Sequence, residues 1–181
     1  DEGLVGSEMC IRDSPNIVFI LTDDLAYADL SSYGSEYIKT PNLDKMADEG
    51  LKMTSYYAAQ AVCSASRAAI LTGCYPNRLG ISGAFGPKSK SGINPDEYLL
   101  SEMLNDNNYK TGVFGKWHLG DAEKFMPTNH GFDEFYGILF SNDMWPFHPE
   151  RPENYPNDLM LYKNDKPIQA LIDQSDLTKN I

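Results

Sequence analysis

A chain of 181 residues, 41% hydrophobic and 23% charged, has ordinary globular composition and enough length to bury a core, which excludes disorder, collagen and coiled coil. Acidic residues outnumber basic ones by 26 to 15, for a net charge of −11, so the molecule as a whole repels polyanions and no nucleic-acid partner is expected. No apolar run reaches the roughly 20 residues of a membrane-spanning helix, and the mean hydropathy of −0.43 agrees with the expectation of no membrane span.

Residues 1–14 show neither an apolar period nor the layout of a signal peptide. The stretch Glu8 to Ser14 resembles the peptide translated from a sequencing-library adapter, so 1–14 is expected to be a non-native segment, Cys10 included. On that expectation the true N-terminus lies outside this sequence. Asn16-Ile17-Val18-Phe19-Ile20-Leu21 is a continuous apolar, β-rich run and predicts a central parallel strand covered on both faces. It ends on Thr22-Asp23-Asp24. Thr40 and Pro41 supply a cap and a first-position proline for a short helix that Gly50 closes. Leu51 to Ala58 reads as a second strand and Ser64 to Thr72 as a small-residue helix stopped by Gly73.

Tyr98 to Asp106 predicts an amphipathic helix with Leu99, Leu100, Met103 and Leu104 on one side. Lys110 to Trp117 predicts a further strand. Four prolines between Pro146 and Pro156 mark 142–158 as a loop. Leu159 to Ile168 reads as a hairpin turning at Asn164-Asp165, and Asp173 to Ile181 begins a helical pattern. Strands alternating with helices predict an α/β fold with a mostly parallel sheet.

Adjacent carboxylates, Asp23 and Asp24, at the carboxyl end of a buried strand suit a hard divalent cation, although Asp24 could equally cap the turn Leu25-Ala26-Tyr27. Cys63 stands at the start of a helix, where the dipole favours an anion. Arg67 follows one turn later, a cation where the dipole disfavours one. Helix amides plus a guanidinium fork make a cradle for a tetrahedral oxyanion such as phosphate or sulfate. A buried structural cysteine beside a surface arginine is the competing reading. Near the next strand end, the two-residue period puts Lys116 and His118 on one face and Trp117 on the other, though each could also be an ordinary strand-end residue. His130 and His148 fall in loops without metal spacing and receive no role. A Cys63–Cys74 disulfide is not expected, because the intervening helix would separate their Cα atoms by ~16 Å against a limit of about 7 Å.

Taken together, Pro15 to Asp24, Thr40 to Asp44, Val62 to Gly73, Gly115 to Gly120 and His130 to Gly137 resemble, in order and spacing, the type I sulfatase family, arylsulfatase A-like, of the alkaline-phosphatase-like fold. Residues 15–181 would then be the N-terminal portion of a sulfatase catalytic domain. The resemblance implies that Asp23, Asp24 and a modified Cys63 ligate Ca²⁺ or Mg²⁺, and that a maturation enzyme oxidises Cys63 to formylglycine. One hydroxyl of the hydrated aldehyde would attack sulfur and the other would collapse to release sulfate. Arg67 would hold that diol, Lys116 would bind sulfate oxygens and His118 would hydrogen-bond the diol. Ser141 aligns with a sulfate-contacting position.

Ala65 stands where the usual modification signature has proline, which points to a maturation enzyme that accepts alanine. The family's remaining metal ligands and a second lysine and histidine lie beyond this chain, so 15–181 alone is expected to be inactive. The implied substrate is a sulfated small molecule or glycan, and the implied location is extracytoplasmic. Rival readings are a phosphonate monoester or phosphodiester hydrolase of the same fold, a non-catalytic sulfated-glycan binding protein, and, weakest, a redox enzyme using Cys63. Trp117, Tyr136, Trp145 and Phe147 could stack on sugar, but core packing is the commoner use of such side chains.

Overall fold

Gly73 closes the helix that carries the cysteine: its backbone turns left-handed at φ +69, and its N–H caps the Ala69 carbonyl. The computed structural model describes residues 14–177 apart from 88, 156 and 172. Segment 1–13 with Cys10, and the end of the C-terminal helical pattern, lie outside the described residues. The chain divides into two units, 1–54 and 55–181.

In the first unit the apolar run 16–21 belongs to no strand, with Ile17, Val18, Phe19 and Ile20 all more than half exposed. This corrects the expected central strand. A strand is held by ladder bonds to neighbours, and no described segment pairs with this one. Helix α1 spans Pro41–Glu49 with Pro41 at its first turn and Gly50 following it, as expected. Its start is held by a side-chain network: Ser31 Oγ donates to Asp44 at 2.6 Å and Thr40 Oγ1 to the same carboxylate at 3.0 Å. These bonds, the one from Ser31 foremost, hold the Asp44 pKa below its ordinary value. The expected strand over 51–58 does not form either; Leu51, Met53, Tyr56 and Tyr57 are exposed, and without a partner strand the apolar run has nothing to pack on.

The second unit holds helix α2 (Cys63–Thr72), helix α3 (Leu100–Asp106) and strands β1 (Gly112–Lys116), β2 (Glu134–Ile138), β3 (Met160–Lys163) and β4 (Lys166–Ala170). The sheet order is β1-β2-β3-β4. β1 and β2 are parallel, with Gly115 opposite Gly137 and Lys116 opposite Ile138. β2-β3 and β3-β4 are antiparallel, so the described sheet is mixed. The expected hairpin is β3-β4, turning at Asn164 (φ +52) and Asp165. The expected loop over 142–158 holds one short 3-10 turn, Pro152–Asn154.

Small residues let α2 enter the core: Ser64, Ala65, Ala68 and Ala69 are buried. Ala65 and Ala68 share one apolar cluster with Ile93, Leu99, Trp117, Leu119 and Phe135. Helix α3 is less amphipathic than its sequence suggests. Leu99, just before it, is fully buried, while Leu100 and Met103 are exposed. The inward position is taken by Ser101, whose hydroxyl donates to the His130 carbonyl.

Candidate functional site

Helix α2 presents Cys63 at its first position, half-buried, and the N-cap residue Val62 makes no side-chain capping bond. One turn on, Arg67 reaches to the end of β1, where its Nη1 donates to the Lys116 carbonyl at 2.5 Å. The Lys116 ammonium in turn donates to Ser141 Oγ at 3.2 Å. These two bonds join three of the residues singled out in the sequence to the helix that carries the fourth.

His118 joins the same group through backbone. Its Nε2 meets the Phe85 carbonyl at 2.7 Å, and the Phe85 N–H donates to Ser64 Oγ, in the first turn of α2, at 3.0 Å. A carbonyl only accepts, so Nε2 carries a proton in this contact. The two-residue period that was expected to align Lys116 with His118 stops at Lys116, where β1 ends. His118 has a left-handed backbone, φ +60, and both Trp117 and His118 are buried, at 2% and 0% exposure. The chain beyond β1 still tracks β2: Trp117 and His118 donate their N–H groups to the carbonyls of Ile138 and Leu139, at 2.9 and 3.1 Å. Proximity of Lys116 and His118 to segment 138–141 thus comes from continued pairing, not from the strand period.

Trp117 is a core residue whose indole N–H donates to the Phe125 carbonyl at 2.8 Å, which removes it as a sugar platform. His130, given no role in the sequence, is fully buried against Trp117 with ring centroids 6.1 Å apart. Burial pushes its pKa down, against the Glu102 charge and a hydrogen bond to the Lys124 backbone. His148 Nδ1 accepts the N–H groups of Glu150 and Arg151 at 3.1 and 3.0 Å, a loop-stapling role. Cys63 and Cys74 are both free thiols, as expected.

Asp23 and Asp24 lie in the first unit, on exposed chain, with Asp24 at φ +53. Asp24 is not the turn cap; Asp29 is, its carboxylate accepting the Ala26 N–H at 2.8 Å. Two adjacent carboxylates match the oxygen-ligand preference of Ca²⁺ or Mg²⁺ in kind. No group of three or more His, Cys, Asp or Glu side chains is gathered among the described residues.

Phe85 is the site member that sequence reasoning missed. It contributes only backbone N–H and C=O, which every residue but proline carries, so no side-chain signal could reveal it.

A helix carrying Cys63 and Arg67, with the arginine bonded to the strand-end Lys116, stands on an α/β scaffold. A family model described as Sulfatase matches residues 15–179, and the chain belongs to the sulfatase family. It is 47% identical over 135 residues to arylsulfatase A of Bos taurus, covering 73% of this chain and 27% of that protein. Against N-acetylgalactosamine-6-sulfatase of Sus scrofa it is 46% identical over 131 residues, covering 68% and 25%. The chain therefore spans about a quarter of the length of the curated relatives it matches. Among solved structures, that of Ps i-CgsB superposes with a TM-score of 0.75 at 36% identity, over 86% of this chain and 37% of that one. The same protein in complex with k-i-k-neocarrahexaose gives 0.69 at 34% identity, over 81% and 35%. The likeness covers most of the described chain and identifies it as part of an alkaline-phosphatase-like fold.

Proposed function

We propose that this chain is the N-terminal portion, from residue 15, of the catalytic domain of a sulfuric ester hydrolase. The observation that carries the reading is the linkage of Arg67 to Lys116, Lys116 to Ser141, and Ser64 through Phe85 to His118, within a chain matched almost end to end by the Sulfatase model.

As formylglycine, made from Cys63 by a maturation enzyme, the residue would supply a nucleophilic hydroxyl and a second hydroxyl for releasing sulfate. By the family resemblance, Asp23 and Asp24 would hold, in part, a divalent cation, which supplies Lewis acidity when bound. Lys116, bonded to Ser141, would bind sulfate oxygens together with that serine, as the family resemblance implies. Arg67, whose Nη1 is bonded to the Lys116 carbonyl, would steady the charged oxygens of the diol, as the family resemblance implies. His118, held at Nε2 by the Phe85 carbonyl, would hold or move a proton at Nδ1. The substrate is a sulfated small molecule or glycan, and the protein acts outside the cytoplasm, as its family resemblance implies.

Two measurements test this. The mass of the tryptic peptide Met53–Arg67, from protein made in its natural host, is expected to show the thiol replaced by an aldehyde. The full-length enzyme is expected to turn over aryl sulfate faster than aryl phosphate. An intact cysteine there would support the glycan-binding reading, and the reverse preference a phosphoester hydrolase.

A further inference from the structure

Next to the residues assigned to sulfate lies a cavity of about 220 Å³. Phe140 and Leu139 form part of its wall. The Phe140 ring meets the His118 ring edge-on at 6.1 Å, the Leu139 carbonyl holds the His118 N–H, and the next residue, Ser141, holds Lys116. Cavity and sulfate-handling residues therefore share one wall. Its volume is below the roughly 300–1,000 Å³ of sites for drug-sized ligands, which suits a single ring.

The polar groups on this cavity are Asp121, Asn157, Asp158 and Tyr162. Asp121 begins a loop pinned by Gly120, which is left-handed at φ +112 and where a Cβ would press on the Phe125 ring and the Gly92 Cα at 2.8 and 2.9 Å. Partial desolvation raises the Asp121 pKa, and burial followed by the Asp121 charge raises that of Tyr162. None of the described lining residues is a lysine, arginine or histidine. A carboxylate accepts strong charge-assisted bonds from hydroxyls and repels another anion. The amide of Asn157 and the phenol of Tyr162 add groups that both donate and accept.

We propose that this cavity seats the ring of the leaving alcohol, and that Asp121 and Asp158 select a neutral, hydroxyl-bearing ring with one sulfate over a ring with a second anionic group. The proposal rests on the sulfatase reading above.

The test uses the full-length enzyme with Cys63→Ala, which cannot mature and leaves the ligand intact. Calorimetry measures its binding of a panel of methyl hexoside monosulfates and of their disulfated counterparts. At least one monosulfate is expected to bind more tightly than its disulfate. Asp121→Asn or Asp158→Asn should weaken that monosulfate about tenfold, the loss for one charge-assisted bond, and Asp121→Lys should shift the preference toward the disulfate. Failure of every monosulfate to bind, tighter binding of disulfates, or indifference to all three substitutions would overturn the proposal. Aryl sulfate turnover by the enzyme with Cys63 intact is measured separately, so loss of the sulfatase reading is distinguishable from loss of the subsite.

Discussion

Arg67 Nη1 donates to the backbone carbonyl of Lys116 at 2.5 Å, across 49 residues of chain. The guanidinium thus has a structural duty as well as a charge: it ties the helix bearing Cys63 to the strand end bearing Lys116. Arg67→Ala is expected to lower stability by about 1–3 kcal/mol, the cost of an orphaned half-buried carbonyl, and to abolish turnover. Arg67→Lys should recover much of the stability, since an ammonium can reach a single carbonyl, but little activity, because it lacks the fork. Thermal unfolding and kcat/KM on an aryl sulfate separate the two effects.

His118 combines full burial, a left-handed backbone and a bond to Phe85. Asparagine tolerates that backbone better than most residues, and a β-branched side chain tolerates it worst. The expected order of melting temperature is wild type, then His118→Asn, then His118→Ala, then His118→Val, with turnover lost in all three. A different order would show that the left-handed turn does not limit the position.

His130 is fully buried, and its pKa is lowered from 6.5 chiefly by desolvation, with the Glu102 charge and a hydrogen bond to the Lys124 backbone opposing. A base with a depressed folded pKa resists protonation when folded but takes a proton once unfolded. Stability is therefore intact above about pH 6.5 and falls as pH drops below it, by up to about 1.4 kcal/mol per pH unit. Denaturant melts at pH 7.5 and 5.5 should show the fall; His130→Gln should flatten this share of it, and Glu102→Gln should steepen it.

Gly137 faces Gly115 across the parallel pair β1-β2, and a Cβ at 137 would overlap the Gly115 carbonyl. Gly137→Ala should destabilise the protein by about 3 kcal/mol, at the upper end of overpacking costs. Because β1 leads into Lys116 and His118, turnover should fall with it. Equal stability of the variant, by denaturant titration, would contradict the pairing.

Chelation of divalent cations is expected to abolish turnover of the full-length enzyme, with recovery on adding Ca²⁺ or Mg²⁺. Asp23→Asn and Asp24→Asn should each raise the cation concentration needed for half-recovery by tenfold or more. An enzyme equally active in chelator would remove the metal role from both residues.

Local chemistry was readable wherever neighbours in the chain decide it. The helix from Cys63 follows from its small residues and from Gly73, the helix from Pro41 from its proline and Gly50, and the hairpin from Asn164-Asp165. Motif order also pointed to Cys63, Arg67, Lys116, His118 and Ser141 as one site. Two strand expectations failed for a shared reason: the runs 16–21 and 51–58 have strand composition, but a strand exists only with a ladder partner, and none is present among the described residues. β2 was visible merely as part of a family motif, since Glu134-Phe135-Tyr136-Gly137-Ile138 has too short a pattern to declare itself.

By itself the sequence determined the family and the identity of the chemical groups, because those depend on side-chain type and spacing. Tertiary structure alone decided that Arg67 grips a carbonyl, that Phe85 bridges Ser64 and His118, and that Asp121 and Asp158 border one cavity. Those relationships are made by backbone groups common to nearly every residue, or by side chains brought together only when distant segments pair, and neither leaves a local trace in the chain.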